Sequence, residues 1–75
     1  GRPGILKNYR KSFYWTEKSA QQGFALAQFT TGLFYLSGRG VEASKEKGAY
    51  WIYLASENGY EEAEKIWNEN ELWNY

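Results

Sequence analysis

The small and apolar residues of the chain recur at helical spacing, and this pattern predicts four helices. The first helix is expected to be capped by Asn8 and closed by Gly23. Its inward positions recur about every 3.6 residues and fall at Ser12, Trp15, Thr16, Ser19 and Ala20. The second helix covers about residues 25–36 and precedes a glycine-rich segment at 37–43. No segment shows the sustained alternation of apolar and polar residues that a half-buried strand requires.

The second half of the chain predicts a matching pair of helices. Ser44 can cap the third helix, because its side-chain oxygen can accept an unpaired backbone N–H of the first turn. That helix stops at Asn58 and Gly59, and the fourth helix covers about residues 61–73. Short loops make consecutive helices antiparallel neighbours, so the expected fold is all-α, with two stacked antiparallel helical hairpins.

The two halves repeat each other at an offset of 36 residues. Sliding residues 1–39 onto residues 37–75 gives seven identities, among them Tyr14 with Tyr50 and Trp15 with Trp51. A fixed period of about 20–50 residues is the signature of a stacked repeat protein. We assign residues 1–75 to a single domain, with repeat 1 at about 8–43 and repeat 2 at about 44–75.

A set of lysines, tryptophans, glycines and small residues recurs in both repeats. It comprises Lys11, Ser12, Trp15, Lys18, Ser19, Ala20, Gly23, Ala25, Ala27, Gly32, Tyr35, Gly38, Gly40 and Val41, and restarts at Lys47, Trp51, Ala55, Gly59 and Ala63. This set resembles the Sel-1-like repeat, a relative of the tetratricopeptide repeat. The resemblance implies an α-solenoid that binds other proteins, and it implies that Trp15 and Trp51 pack in the core.

The departures from the family pattern also carry expectations. Thr31 stands where the family usually has Leu, and Gly48 replaces the usual Ala. Gly32 lies inside the second helix, where a glycine favours the close approach of a neighbouring helix. The fourth helix has Asn68 at the position of Gly32, so we predict that it is a terminal cap.

Composition limits the chemistry that this sequence can perform. It contains no Cys, His, Asp or Met, so the common nucleophile–base pairs and zinc ligand sets are missing. We therefore predict no enzyme activity, no cofactor and no metal site, and we interpret Glu61, Glu62 and Glu64 as complements of a helix dipole. No apolar run reaches the ~18 residues of a membrane span. The cytoplasm is the favoured compartment, with the periplasm or secretion as alternatives if a signal has been removed.

Charge is divided between the two halves of the sequence. Residues 1–40 carry six Lys and Arg against one Glu, and residues 41–75 carry three Lys against eight Glu. The neutral total disfavours nucleic acid as a partner. The division permits head-to-tail self-association through the N-terminal end, although a solvated surface that happens to segregate explains it equally simply. We expect that end, on the side carrying Ile5, Tyr9 and Phe13, to be open.

The primary hypothesis is a protein–protein interaction module that acts as a scaffold or adaptor. Its predicted partner-binding residues are the outward residues of the first and third helices and one loop arginine: Tyr9, Phe13, Tyr14, Glu17, Arg39, Tyr50 and Tyr53. Arg39 could hold a carboxylate in a bidentate pair or be an ordinary solvated loop residue. The alternative function is a small bacterial immunity or inhibitor protein that binds a toxin; a small-molecule binder or an enzyme is less favoured.

Overall fold

The computed structural model describes the backbone of residues 3–69 and the side chains of residues 8–69, and this part of the chain is entirely helical outside its turns. The elements are α1 (Pro3–Gln21), α2 (Ala25–Ser37), α3 (Lys45–Glu57) and α4 (Glu61–Glu69). The predicted all-α class is confirmed. α2 and α3 share the most extensive packing, while α1 packs on α2 and α4 packs on α3. The predicted end of the fourth helix lies outside the described residues.

The start of α1 differs from the prediction. The helix begins at Pro3, a position where the missing backbone N–H costs no helical hydrogen bond and the fixed φ suits the helix. Asn8 is an exposed residue inside α1, so the prediction that it caps the helix is wrong. The prediction for Ser44 is confirmed, because its hydroxyl oxygen accepts a hydrogen bond from the backbone N–H of Lys47 at 3.2 Å.

The two hairpins meet where a glycine of α2 faces a glycine of α3. A Cβ atom on Gly32 would lie 2.9 Å from the carbonyl oxygen of Gly48 and 2.8 Å from Cδ1 of Ile52. A Cβ atom on Gly48 would lie 3.0 Å from the carbonyl oxygen of Gly32 and 2.6 Å from Cδ2 of Leu36. These distances are too short for real side chains, so the two backbones approach in a way that only glycine allows. The predicted role of Gly32 is confirmed.

The hydrophobic core is built around this glycine contact. It consists of Phe29, Ala49, Ile52, Ala55 and Ala63, with Leu36, Tyr60, Ile66 and Trp67 packed against it. The rings of Phe29 and Tyr60 lie 5.0 Å apart, which joins α2 to the start of α4. Most of the fully buried positions are alanines, because helices this close leave room for little more than a methyl group.

A buried glutamine ties the first hairpin to the second. The side-chain amide of Gln28 donates to the carbonyl of Ala20 at 3.2 Å, at the end of α1. Its amide oxygen accepts from the side-chain amide of Asn58 at 2.8 Å, in the turn between α3 and α4. Gln28 is thus paired on both sides, as a buried polar group must be. By contrast, the buried hydroxyl of Thr31 has no hydrogen-bond partner among the described residues.

The two tryptophans are not core residues, so the expectation that the resemblance carried is wrong. The side chain of Trp15 is 63% exposed. Trp51 is half-buried, whereas its neighbour Ile52 is 0% exposed and faces α2. One residue turns a helix by about 100°, which moves Trp51 from the inward face to its edge. In the first repeat the inward counterpart of Ile52 is Thr16.

We predict that Gly32→Ala destabilises the chain. The added methyl group meets the backbone oxygen of Gly48, and such overpacking costs about 1–3 kcal/mol. The better helix propensity of alanine offsets about 1 kcal/mol of that cost. Chemical denaturation should show a net loss, while the matched control Asn68→Ala, at the equivalent exposed position of α4, should change little. A stabilised Gly32→Ala variant would contradict the glycine contact.

The core assignment predicts a large contrast between two other truncations. Ile52→Ala empties a fully buried position and should cost about 2–5 kcal/mol. Trp15→Ala removes a largely exposed ring and should cost about 1 kcal/mol. Urea unfolding followed by circular dichroism measures both. Equal losses of unfolding free energy, or a larger loss for Trp15→Ala, would show that Trp15 is a core residue.

Candidate functional site

Two tyrosines one repeat apart project into solvent from α1 and α3. Tyr14 is 52% exposed and Tyr50 is 58% exposed. Each ring meets the next tryptophan edge-on, with centroids 5.1 Å apart for Tyr14 and Trp15 and 5.6 Å apart for Tyr50 and Trp51. The ammonium of Lys18 lies 4.9 Å from the centroid of the Tyr14 ring. The chain therefore displays the same aromatic pair twice.

Tyr35 of α2 contacts residues that lie beside both aromatic pairs. Its hydroxyl donates a hydrogen bond to Oε2 of Glu17 at 3.3 Å, and the ammonium of Lys47 lies 5.8 Å from its ring centroid. Glu17 is one turn after Tyr14, and Lys47 is one turn before Tyr50, so each is a neighbour of its tyrosine on the helix surface. Contacts through Tyr35 thus join the part of α1 that carries Tyr14 to the part of α3 that carries Tyr50. We call Tyr14, Glu17, Lys47 and Tyr50 the tyrosine surface.

The environment of Tyr35 keeps its hydroxyl protonated. Burial raises the pKa of Tyr35, and the negative charge of Glu17 and the hydrogen bond to it raise that pKa further. A neutral phenol can donate to the carboxylate, whereas a phenolate would repel it. The link between α1 and α2 beneath the tyrosine surface therefore persists over the neutral pH range.

Phe13 packs inward rather than outward. Its ring lies edge-on to Phe34 at 6.0 Å and to Tyr35 at 5.2 Å, and it is half-buried. The ring of Phe13 on α1 thus packs against the ring of Tyr35 on α2. The sequence analysis placed Phe13 among the outward residues. Periodicity shows that Phe13 and Trp15 lie on different faces of α1, but it does not show which of these faces α2 covers.

Tyr9 and Arg39 form a separate pair at the loop between α2 and α3. The guanidinium of Arg39 lies 5.3 Å from the ring centroid of Tyr9, and its Nη1 donates to the Tyr9 hydroxyl at 3.4 Å. The loop rests on α1 at Gly40, which has φ +72° and whose Cβ, if present, would collide with the carbonyl of Tyr9. A larger residue at Gly40 would therefore lift Arg39 away from Tyr9.

Tyr53 lies on a third part of the surface. Its ring is 5.4 Å from that of Trp67, so it faces the contact between α3 and α4. Of the predicted binding residues, Tyr14 and Glu17 are neighbours on α1, and Tyr35 links Glu17 to Lys47, one turn before Tyr50. The structure places Tyr9 with Arg39 and leaves Tyr53 apart.

Sequence reasoning missed a second apolar surface, between α1 and α2. We call it the α1–α2 groove, and it is lined by Trp15, Thr16, Ser19, Phe24, Leu26, Ala27 and Thr30. Phe24 is 60% exposed and Leu26 is 59% exposed. The signal that could have found the groove is the internal repeat, because Ala27 is the counterpart of the buried Ala63.

Two further kinds of site receive no support from the described part of the chain. Residues 8–69 bring together no group of three or more acidic side chains that could hold a metal ion. Each of the helices α1 to α4 is too short or too polar to cross a lipid bilayer.

Comparison with known families identifies the repeat. The family model of the Sel1 repeat matches residues 1–24 and 25–60. The chain belongs to the Sel1 repeat family. Sel1 repeats are modules that bind other proteins, and the second match covers α2, the loop and α3 as one unit.

A curated Sel1 relative is the chitin synthase regulator SKT5 of Saccharomyces cerevisiae. The Sel1 repeats align with it at 34% identity over 56 residues. The alignment covers 75% of this chain but only 8% of the yeast protein. No solved structure matches the chain significantly.

The raised pKa of Tyr35 predicts how stability depends on pH. Unfolded tyrosine ionises near pH 10, so above about that pH the unfolded chain loses a proton that the folded chain keeps. The contribution of Tyr35 is complete below that pH and is lost as the pH rises through the raised folded pKa. The unfolding free energy of Tyr35→Phe should therefore decline less steeply than that of the unmodified chain at alkaline pH. Denaturation at a series of pH values measures both slopes, and equal slopes would contradict the assignment.

Proposed function

We propose that this Sel1 chain is an adaptor or scaffold that holds a segment of a partner protein on its tyrosine surface. The observation that supports this proposal is the repeated display of an exposed tyrosine against a tryptophan edge, at Tyr14 and again at Tyr50. The exposed tyrosines Tyr14 and Tyr50 recur at the repeat period and lie outside the buried core. Exposed aromatic residues are the composition that distinguishes the centres of protein interfaces.

The physical chemistry of the tyrosine surface suits protein binding. Tyrosine and tryptophan provide a large contact area with few rotatable bonds, so little conformational entropy is lost when a partner immobilises them. The tyrosines stand on helices that the glycine contact and Gln28 hold in place, which reduces the ordering cost further. The Tyr35–Glu17 hydrogen bond holds α1 and α2 together next to the tyrosine surface.

The yeast relative is consistent with an activity that depends on binding. Its name describes a regulator of another protein, chitin synthase. A module that positions a second protein provides such regulation without chemistry of its own. For this chain, direct capture on the tyrosine surface would identify the partner.

The proposal predicts that two truncations together abolish partner capture. Tyr14→Ala with Tyr50→Ala removes both anchors, and loss of interface tyrosines weakens binding by about 1–2 kcal/mol each, which together is about 30- to 1000-fold. The chain should be immobilised and exposed to an extract of the source cells, with bound proteins quantified by mass spectrometry. The double variant should lose a protein that the unmodified chain retains.

Two controls make this result specific. Leu33→Ala truncates an exposed apolar residue on the far side of α2, and it should retain the same protein. Unfolding of the double variant should differ from that of the unmodified chain by about 0.5 kcal/mol or less, as for other surface changes. Undiminished capture by the folded double variant would remove the tyrosine surface from the function.

A further inference from the structure

The two helices that carry the exposed tyrosines differ in charge, and this difference indicates which kind of segment they hold. We propose that the bound segment is acidic where it contacts Tyr14 and uncharged and apolar where it contacts Tyr50. This inference rests on the proposed function and adds the chemical class and the orientation of the segment. It follows from the side chains that lie one helical turn before and after each tyrosine.

The exposed face of α1 around Tyr14 is basic. Arg10, Lys11 and Lys18 each lie three or four positions from that tyrosine, so they are its neighbours on the helix surface. All three are exposed. The ammonium of Lys18 lies 4.9 Å from the centroid of the Tyr14 ring. A partner side chain that contacts this ring therefore lies close to three cations.

The one carboxylate of this face already has a partner within the chain. Glu17 is half-buried and accepts the hydrogen bond of the Tyr35 hydroxyl at 3.3 Å. It is the only acidic residue among residues 1–40. Because the three cations outnumber it, the face around Tyr14 keeps a net positive charge. An apolar segment would separate those cations from water without supplying the opposite charge, which is unfavourable.

The equivalent face of α3 around Tyr50 is neutral and more apolar. The counterparts of the four charged residues around Tyr14, in chain order, are Glu46, Lys47, Tyr53 and Leu54. The first two carry opposite charges and are exposed, and the last two are uncharged. Tyr53 is 42% exposed and Leu54 is half-buried. The surroundings of Tyr50 therefore favour an uncharged, apolar side chain.

Electrostatic complementarity then fixes the orientation of the bound segment. Carboxylates that lie beside Tyr14 pair with exposed cations, whereas the same carboxylates beside Tyr50 face charges that cancel. Apolar residues have the opposite preference, because only the face of α3 offers them an uncharged surface. A segment with its acidic residues grouped at one end is therefore held in one direction.

A nucleic acid fits this charge pattern less well than a protein segment. Its phosphates carry negative charge along the whole strand. The part of the strand that crosses α3 would face Glu46 and an uncharged surface, so only the part on α1 would gain attraction. The pattern thus favours a protein segment whose charge is confined to one end.

Two synthetic peptides test the chemical class. The acidic probe carries four glutamates at one end and two leucines at the other, joined by a flexible glycine–serine linker, and the control probe has glutamine in place of each glutamate. Each is titrated into the isotope-labelled chain, and the backbone amide NMR signals of α1 and α3 report binding. The acidic probe should bind about fivefold more tightly, the effect of two exposed ion pairs. Added salt should reduce this difference.

A spin label on the acidic probe tests the orientation. A label beside the glutamates should broaden the signals near Tyr14, and a label beside the leucines should broaden those near Tyr50. The exchange variant Arg10→Glu with Glu46→Arg alters two exposed positions and keeps both the composition and the net charge. It leaves the surroundings of Tyr14 neutral and makes those of Tyr50 positive. In this variant the label beside the glutamates should broaden the signals near Tyr50.

Three results would overturn the inference. The first is equal binding of the two probes, and the second is an orientation that the exchange variant leaves unchanged. The third is displacement of the acidic probe by an equal concentration of oligothymidylate, which would assign the basic face to nucleic acid. Failure of the proposed function has a different signature, because the folded variant with Tyr14→Ala and Tyr50→Ala would then bind the acidic probe as tightly as the unmodified chain.

Discussion

The backbone contact between Gly32 and Gly48 is the constraint on which the rest of this structure depends. Because the two helices cross with no side chain between them, Ile52 packs against the backbone of α2 as a core residue, and Leu36 packs against the backbone of α3 at the edge of the core. The interior then holds alanines in preference to rings. Stability therefore comes from many close dispersion contacts, each small, and any added methyl group at the crossing disturbs several of them together.

The same helix supports both surfaces described above. One side of α2 carries Tyr35, which supports the tyrosine surface through Glu17. Another side carries Leu26 and Thr30, which line the α1–α2 groove. The face between them belongs to Gly32 and the core. A central helix that contacts α1 and α3 leaves part of its own surface exposed, and this explains why the apolar groove borders α2.

The sequence predicted the four helices, the cap at Ser44 and the close approach at Gly32, because periodicity, capping chemistry and glycine placement are local signals. It failed for Asn8, since Pro3 offered an earlier start that competes with a polar cap. It also failed for Trp15, because periodicity defines the faces of a helix without showing which face a neighbour covers. The large ring of Trp15 also suggested burial, but a ring is not buried where the helices lie too close to accommodate it.

In the proposed function Tyr14 and Tyr50 are equivalent anchors for an uncharged side chain, and this has a statistical consequence for any partner that offers a single anchor residue of that kind. Such a partner can bind in two alternative registers, one on each tyrosine. The degeneracy alone favours the complex by RT ln 2, about 0.4 kcal/mol at room temperature. It also lets the partner step from one register to the other while it stays near the chain. A partner with two anchors at the matching spacing gains instead from the effective concentration of the second site. Under the proposed function, the internal repeat would therefore discriminate between ligands by their valency, beyond any difference in their side-chain chemistry.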